Sequence, residues 1–133
     1  IHDGVRPLVP PWLIGDVIRA AVETGAALPV SPCIATVKEV EGGRVRRTLD
    51  RSRLVLAQTP QAFRRSLLVR AHAQAVSQGV YLTDDATMVE RLGAPVAVVD
   101  GTASNIKVTS VEDMDVVEHL LRSAHPADHG EPR

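Results

Sequence analysis

Aromatic side chains are nearly absent, with one Trp, one Tyr and one Phe in 133 residues. That excludes a surface on which successive bases stack, and it leaves any core to Val, Leu, Ile and Ala. Cysteine is equally scarce: the single Cys33 permits no internal disulfide and cannot by itself make a zinc site. Net charge is missing too. Fifteen basic residues against sixteen acidic ones leave −1, without the positive field of a bulk nucleic-acid binder. No apolar run approaches the ~18 residues of a membrane span, and nothing at the start has a signal-peptide pattern. Lysine occurs only at positions 38 and 107, against 13 arginines. The expectation is a soluble, cytoplasmic protein whose partners are neither nucleic acid nor membrane.

What is present is ordinary for a globular chain. The hydrophobic and charged fractions, 44% and 23%, exclude disorder as a class. The length suits one domain, which by surface scaling buries roughly two thirds of the area its unfolded chain exposes. The opening Ile1-His2-Asp3-Gly4 has no Met and no polar lead-in. Ile1 is therefore expected to end a strand, with further sequence upstream.

Trp12, Leu13, Val17, Ile18, Ala21 and Val22 recur at helical spacing, and Gly25 supplies a stop. Ala26 to Val30 is a short apolar run, strand-like in length. Residues 36–40 and 44–49 flank Glu41-Gly42-Gly43 and predict a β-hairpin. Its faces carry few apolar groups, so it is expected to project and to need a partner surface. Leu54 to Ala57 predicts another strand. Thr59-Pro60 predicts a helix start, with Thr59 as N-cap and Pro60 at the first helical position. That helix continues through Phe63, Leu67, Leu68, Ala71 and Ala75 to Gly79. Thr83-Asp84-Asp85 places acids at the start of a shorter helix. Pro95 to Val99 predicts a fully buried strand, and Ile106 with Val108 one more. Ser110-Val-Glu-Asp113 opens a final helix with a capping box, and Met114, Val117 and Leu121 share one of its faces. Strands alternating with helices predict an α/β fold with a substantially parallel sheet.

Ligands of open α/β sheets bind beyond the carboxyl ends of the strands. Three segments fall there: His2 to Pro7, Gln58 to Gln61, and Gly101 to Thr109. Asp3 suits either a turn or catalysis. A helix start at Thr59 leaves free N–H groups where an anion can bind. Lys107, between two apolar neighbours in an arginine-preferring chain, suggests a place for a compact amine. Arg44, Arg46, Arg47, Arg51 and Arg53 form the densest charge, and a guanidinium grips phosphate bidentately. The histidines make no site: His72 and His119 fall within helices, and His125 and His129 in the tail. No nucleophile–base order, P-loop or carboxylate pair is present. Composition and spacing alone lead to an α/β domain that binds a phosphorylated ligand.

The strings His2-Asp3-Gly4-Val5-Arg6-Pro7, Gln58-Thr59-Pro60-Gln61, Thr83-Asp84-Asp85-Ala86 and Asn105-Ile106-Lys107-Val108-Thr109, with Asp113, run in one order across nearly the whole chain. In that order they resemble the C-terminal part of the 2-C-methyl-D-erythritol 4-phosphate cytidylyltransferase family of the non-mevalonate isoprenoid pathway. Ribitol 5-phosphate cytidylyltransferases share most of the same strings. A third reading is a non-catalytic dimerisation or regulatory module that lacks the nucleotide-binding half.

The resemblance implies a Rossmann-like nucleotidyltransferase sheet with helices on both faces and a protruding β-arm. Residues 1–124 are then the C-terminal portion of one domain, with 36–49 as the arm of a homodimer and 125–133 as a flexible tail. It also implies a reaction: the acceptor's phosphate oxygen attacks the α-phosphorus of CTP, pyrophosphate leaves, and Mg²⁺ holds the triphosphate. Chemistry of this kind rests on positioning and charge neutralisation rather than on a covalent nucleophile. By the same resemblance Asp3 is catalytic and lies near the metal, while Arg51 and Lys107 position the acceptor phosphate. Arg6, Thr36 and Thr59 offer further acceptor contacts, those from the arm across the dimer. The family's glycine-rich CTP loop lies upstream of Ile1, so this portion alone is expected to be inactive. Gly4 and Val5 depart from the commoner Ala-Ala, and Ala35 and Ser104 stand where Asp is frequent.

Overall fold

Pro10 and Pro11 set the first helix. Pro10 is extended and Pro11 occupies the first turn, where a missing N–H costs nothing. The computed structural model describes residues 1–82 and 84–124. Helix α1 (Pro11–Thr24) ends at Gly25, whose φ of 96° is left-handed and whose N–H bonds the Ala21 carbonyl. Leu13, Val17 and Ala21 form its buried stripe, as their spacing predicts.

Strand β1 (Ala26–Pro32) is the hub of the sheet. Its side chains alternate between two helix layers, as a pleated strand requires. Ala27 packs on Leu13, Val17 and Ala21 of α1. Ala26, Leu28 and Val30 face the other way, among Ala71, Ala86 and Val89. These last three belong to α2 (Arg65–Ser77) and α3 (Asp85–Arg91). Completely burying a Leu or Val such as Leu13 or Val17 contributes about 1.5–3 kcal/mol each, so these two helix layers set the sheet's position.

The sheet is mixed rather than substantially parallel. β1 pairs in parallel with β6 (Ala97–Asp100) but antiparallel with β4 (Val55–Ala57) and β5 (Ala62–Phe63). The Gly25 and Pro29 carbonyls, on the same edge of β1 by strand alternation, accept from the Arg64 and Gln58 N–H groups. The Val30 carbonyl faces the opposite edge and accepts from Gly101. β4 and β5 thus line one edge and β6 the other.

Between β4 and β5 the register slips. Ala57 lies opposite Val30 and Ala62 opposite Ala27, so five steps of one strand span three of the other. The excess is a bulge at Thr59-Pro60, joined by a cis peptide. The expected helix start at Thr59 is therefore wrong; the helix begins at Arg65, after β5. The segment continues as an edge strand because β1 offers it hydrogen bonds, and the Thr59 hydroxyl finds partners outside any helix.

Three further expectations change. β6 is only half buried, with Val98 65% exposed, because no described element covers its outer face. Ile106 and Val108 form no strand; a single bond from the Val108 N–H to the Val5 carbonyl holds that stretch. Ile1 lies in no assigned strand, although its backbone exchanges hydrogen bonds of 2.7 and 2.8 Å with Gln61.

The hairpin is present as β2 (Lys38–Glu41) and β3 (Arg44–Thr48), a two-stranded sheet of its own with almost every residue exposed. Arg46 and Arg47 lie on Glu39 at 3.1 and 2.6 Å, which explains much of the arginine run as surface pairing. The capping box also forms: the Asp113 N–H donates to Ser110 Oγ, and the Ser110 N–H to Asp113 Oδ2. It opens α4 (Val111–Ala124), of which Val117 is buried while Met114 and Leu121 stay exposed. Thr83 of the Thr83-Asp84-Asp85-Ala86 string, and the tail 125–133 with His125 and His129, lie outside the described residues.

Candidate functional site

Three loops distant in sequence meet beyond the carboxyl end of β6: residues 2–6, the bulge at 58–61, and residues 101–109. At their junction Asp3 Oδ2 lies 3.1 Å from Lys107 Nζ and 3.5 Å from Arg6 Nε. The Lys107 side chain is half exposed, Asp3 one third, and Arg6 largely covered. Ile106 and Val108 are half-buried on either side of the exposed Lys107. Burial pushes the Asp3 carboxyl upward, but the Lys107 bond and the Lys107 and Arg6 charges outweigh it and hold the group below its ordinary value. Two cations meet one carboxylate, so the cluster keeps a surplus positive charge open to solvent. Such a surplus suits an oxyanion.

Thr59 joins the cluster through its hydroxyl. Oγ1 accepts from the Asp3 N–H at 3.0 Å and lies 2.9 Å from His2 Nδ1. His2 Nε2 lies 3.1 Å from the Arg6 carbonyl, which can only accept. The proton of a neutral ring is therefore assigned to Nε2, and Nδ1 accepts from Thr59.

Beneath this surface lie buried amides. Arg6 Nη1 donates to the Asn105 carbonyl at 2.6 Å. Asn105 Nδ2 donates to the Thr59 carbonyl at 2.8 Å and to Gln58 Oε1 at 3.3 Å. Gln58 Nε2 in turn reaches the Thr102 carbonyl at 2.9 Å. Sequence reasoning gave no role to His2, Gln58 or Asn105. The available signal was a side-chain amide in two of the three loops, Gln58 and Asn105, at the sheet edge where an exposed loop needs none.

Of the sequence-predicted residues, the fold brings together Asp3, Arg6, Thr59 and Lys107. It does not bring Thr36 or Arg51 to them. Thr36 is exposed at the base of the arm, and the Arg51 guanidinium donates to the Ile34 carbonyl. Arg51 instead lines a cleft of about 470 Å³ with Cys33, Asp50 and Asp100.

Among the described residues no three His, Cys, Asp or Glu side chains are placed to hold a metal ion. Asp3 is the cluster's single carboxylate, and two cations already occupy it. These residues by themselves do not make a divalent-cation site. No described helix is long and apolar enough to cross a membrane.

The sequence model of the 2-C-methyl-D-erythritol 4-phosphate cytidylyltransferase family matches residues 1–123. A protein of that name from Syntrophus aciditrophicus is 50% identical over 123 residues, 92% of this chain and 53% of the relative. One from Bacillus licheniformis is 42% identical over 129 residues, 97% of this chain and 56% of the relative. The crystal structure of 2-C-methyl-D-erythritol 4-phosphate cytidylyltransferase from Thermus thermophilus superposes with a TM-score of 0.83 at 42% identity. That match covers 91% of this chain and 60% of the other. The chain spans about half the length of the curated relatives it matches.

Proposed function

Because this chain belongs to the 2-C-methyl-D-erythritol 4-phosphate cytidylyltransferase family over residues 1–123, we propose that it forms the acceptor side of an enzyme that transfers CMP from CTP to 2-C-methyl-D-erythritol 4-phosphate. In this reaction an oxygen of the acceptor phosphate forms a bond to the α-phosphorus of CTP. The bond from that phosphorus to the bridging oxygen breaks, and pyrophosphate leaves with the electron pair. One observation carries the reading: Lys107 and Arg6 converge on Asp3 with positive charge to spare, beside the Thr59 hydroxyl. Lys107 and Arg6 hold the acceptor phosphate and screen its repulsion from the triphosphate. Asp3 keeps the two cations apart and in place before substrate arrives, and as the carboxylate of this cluster it would be the group to meet a Mg²⁺ that the triphosphate itself carries in. Such work is positioning and charge neutralisation, which phosphoryl transfer requires.

The test is turnover of the full-length protein with CTP and methylerythritol phosphate, with ribitol 5-phosphate as the comparison acceptor. Preference for ribitol 5-phosphate would overturn the acceptor assignment. Turnover with neither would leave a non-catalytic module.

Thr36 and Arg51 enter the proposal through a second subunit, because neither reaches Asp3 within its own chain. The exposed 36–49 hairpin supports this, since a two-stranded hairpin without cover is marginal in water. We expect sedimentation at micromolar concentration to show a homodimer; a monomer would remove the arm from the interface.

Arg51→Ala is expected to raise the acceptor's KM about 10- to 150-fold, the loss of one charge-assisted bond, with CTP binding nearly intact. Arg46→Ala and Arg47→Ala, whose partners are surface glutamates of the arm itself, should be close to neutral. Equal losses for both substrates in Arg51→Ala would point to misfolding.

A further inference from the structure

We infer that Asn105 is a positioning residue whose buried side-chain amide, by pinning its own backbone to the 58–61 bulge, fixes the placement of both acceptor-phosphate cations and of Thr59 at once. The inference rests on the proposed function and adds to it a residue that never touches substrate. Asn105 is 1% exposed, so contact with an acceptor is ruled out by burial. Its bonds reach every loop of the site. Its backbone carbonyl oxygen holds the Arg6 guanidinium at 2.6 Å, across 99 positions of sequence. The two side-chain N–H groups are spent on the Thr59 carbonyl and on Gln58 Oε1. The backbone N–H closes its own turn on the Thr102 carbonyl, which Gln58 Nε2 also engages. Gln58, Thr102 and Asn105 therefore form a closed ring of hydrogen bonds under the site.

Lys107 follows Asn105 by two residues, and no strand ladder anchors it, because residues 106–108 are not in the sheet. Its place is set from one side by the Asn105 ring and from the other by the bond from the Val108 N–H to the Val5 carbonyl. Removing the side-chain donors opens the ring and leaves that end of the loop held by the Asn105 backbone alone. Thr59 loses its donor in the same stroke, and the Asn105 backbone carbonyl that receives Arg6 loses the side-chain anchor that fixes its place, so the spacing between cations and hydroxyl, rather than any single contact, is what Asn105 governs. A misplacement of about 1 Å at a reacting centre can cost ~10²-fold in rate.

The side chain works as a donor. Its Oδ1 is buried without a hydrogen-bond partner, while both N–H groups are used. Asn105→Asp keeps the shape but sets acceptors against the Thr59 carbonyl and Gln58 Oε1, turning two attractions into repulsions. Asn105→Ala removes the donors without introducing charge, and it serves as the second variant should the Asp substitution unfold the protein.

The experiment uses the full-length protein and has two readouts. Amide hydrogen exchange is compared for wild type and variants over residues 2–6, 58–61 and 101–109, with β1 and α1 as internal references. Steady-state kinetics then separate KM for methylerythritol phosphate from KM for CTP. The inference expects faster exchange in all three loops and unchanged references. It also expects acceptor kcat/KM lowered by ~10²-fold and KM for CTP kept within about twofold. Faster exchange confined to 101–109, or none, overturns the coupling. Equal loss for both substrates, tracking the folded fraction, overturns the positioning role in favour of a merely structural one. If the wild type turns over neither substrate, the proposed function fails on that result alone, and the exchange pattern decides whether Asn105 joins the three loops.

Discussion

Lys107→Ala in the full-length protein is expected to lower kcat/KM for the acceptor by ~10²-fold or more, equivalent to about 2.7 kcal/mol of transition-state stabilisation. The melting temperature should hardly move. The side chain is 48% exposed and meets Asp3 at 3.1 Å, and an exposed ion pair of this kind adds little to folding. On the proposed function its kinetic role is expected to be larger because of what develops during reaction. Two anionic phosphates must approach, and negative charge shifts to the departing pyrophosphate. A cation fixed at the acceptor phosphate is worth more as that approach tightens, so kcat falls along with the rise in KM. Asp3 holds the ammonium in place beforehand, which lowers the cost of organising the site when substrate arrives. Lys107→Arg should rescue poorly, because a planar fork with its own bidentate preference cannot take the place of a compact point charge on the Asp3 oxygen that Arg6 also approaches. Wild-type kinetics in Lys107→Ala would remove the residue from the site and take the proposed chemistry with it.

Lys107 was legible in the sequence because composition marks it: a lysine between apolar neighbours, in a chain that otherwise prefers arginine. Elements with a strong period were legible for a similar reason. The stripe of Leu13, Val17 and Ala21 and the Gly25 stop define α1 without reference to anything distant. What was misread depends on partners far along the chain. Thr59-Pro60 has good local chemistry for a helix start, yet the open edge of β1 draws residues 55–63 into strands and leaves the pair as a bulge. The parallel character of the sheet was overstated for the same reason, since β4 and β5 return along β1 without an intervening helix. Val98 reads as core from its neighbours, but burial is decided by what covers it. Asp3, Arg6, Thr59 and Lys107 were found individually, whereas the amides beneath them were not. A buried Gln or Asn has no periodicity, and only the folded chain shows which carbonyls it must satisfy.

Those amides also make Gly101 the least replaceable glycine of the site, and Gly101→Ala is expected to destabilise the protein by about 2–4 kcal/mol through overpacking and lost buried hydrogen bonds. A Cβ at this position would press on Gln58 Oε1 well inside contact distance and would lie 2.8 Å from the Val30 carbonyl oxygen. Neither neighbour can yield cheaply. The Val30 oxygen belongs to the hub strand and already accepts from the Gly101 N–H at 2.8 Å, so moving it opens the end of the β1–β6 ladder. Gln58 can move only by releasing the Thr102 carbonyl and the Asn105 amide, both in a setting where unpaired polar groups are penalised. At about 3–5 °C per kcal/mol for a domain of this size, thermal unfolding should fall by roughly 10 °C. Gly4→Ala is the matched control, because a Cβ there meets nothing within 4 Å. The folded fraction of Gly101→Ala should also bind the acceptor more weakly, since displacement of Gln58 passes through Asn105 to the loop that carries Lys107. A melting temperature equal to that of Gly4→Ala would show that the ring relaxes without cost, and with it would go the claim that buried amides set the geometry of the site.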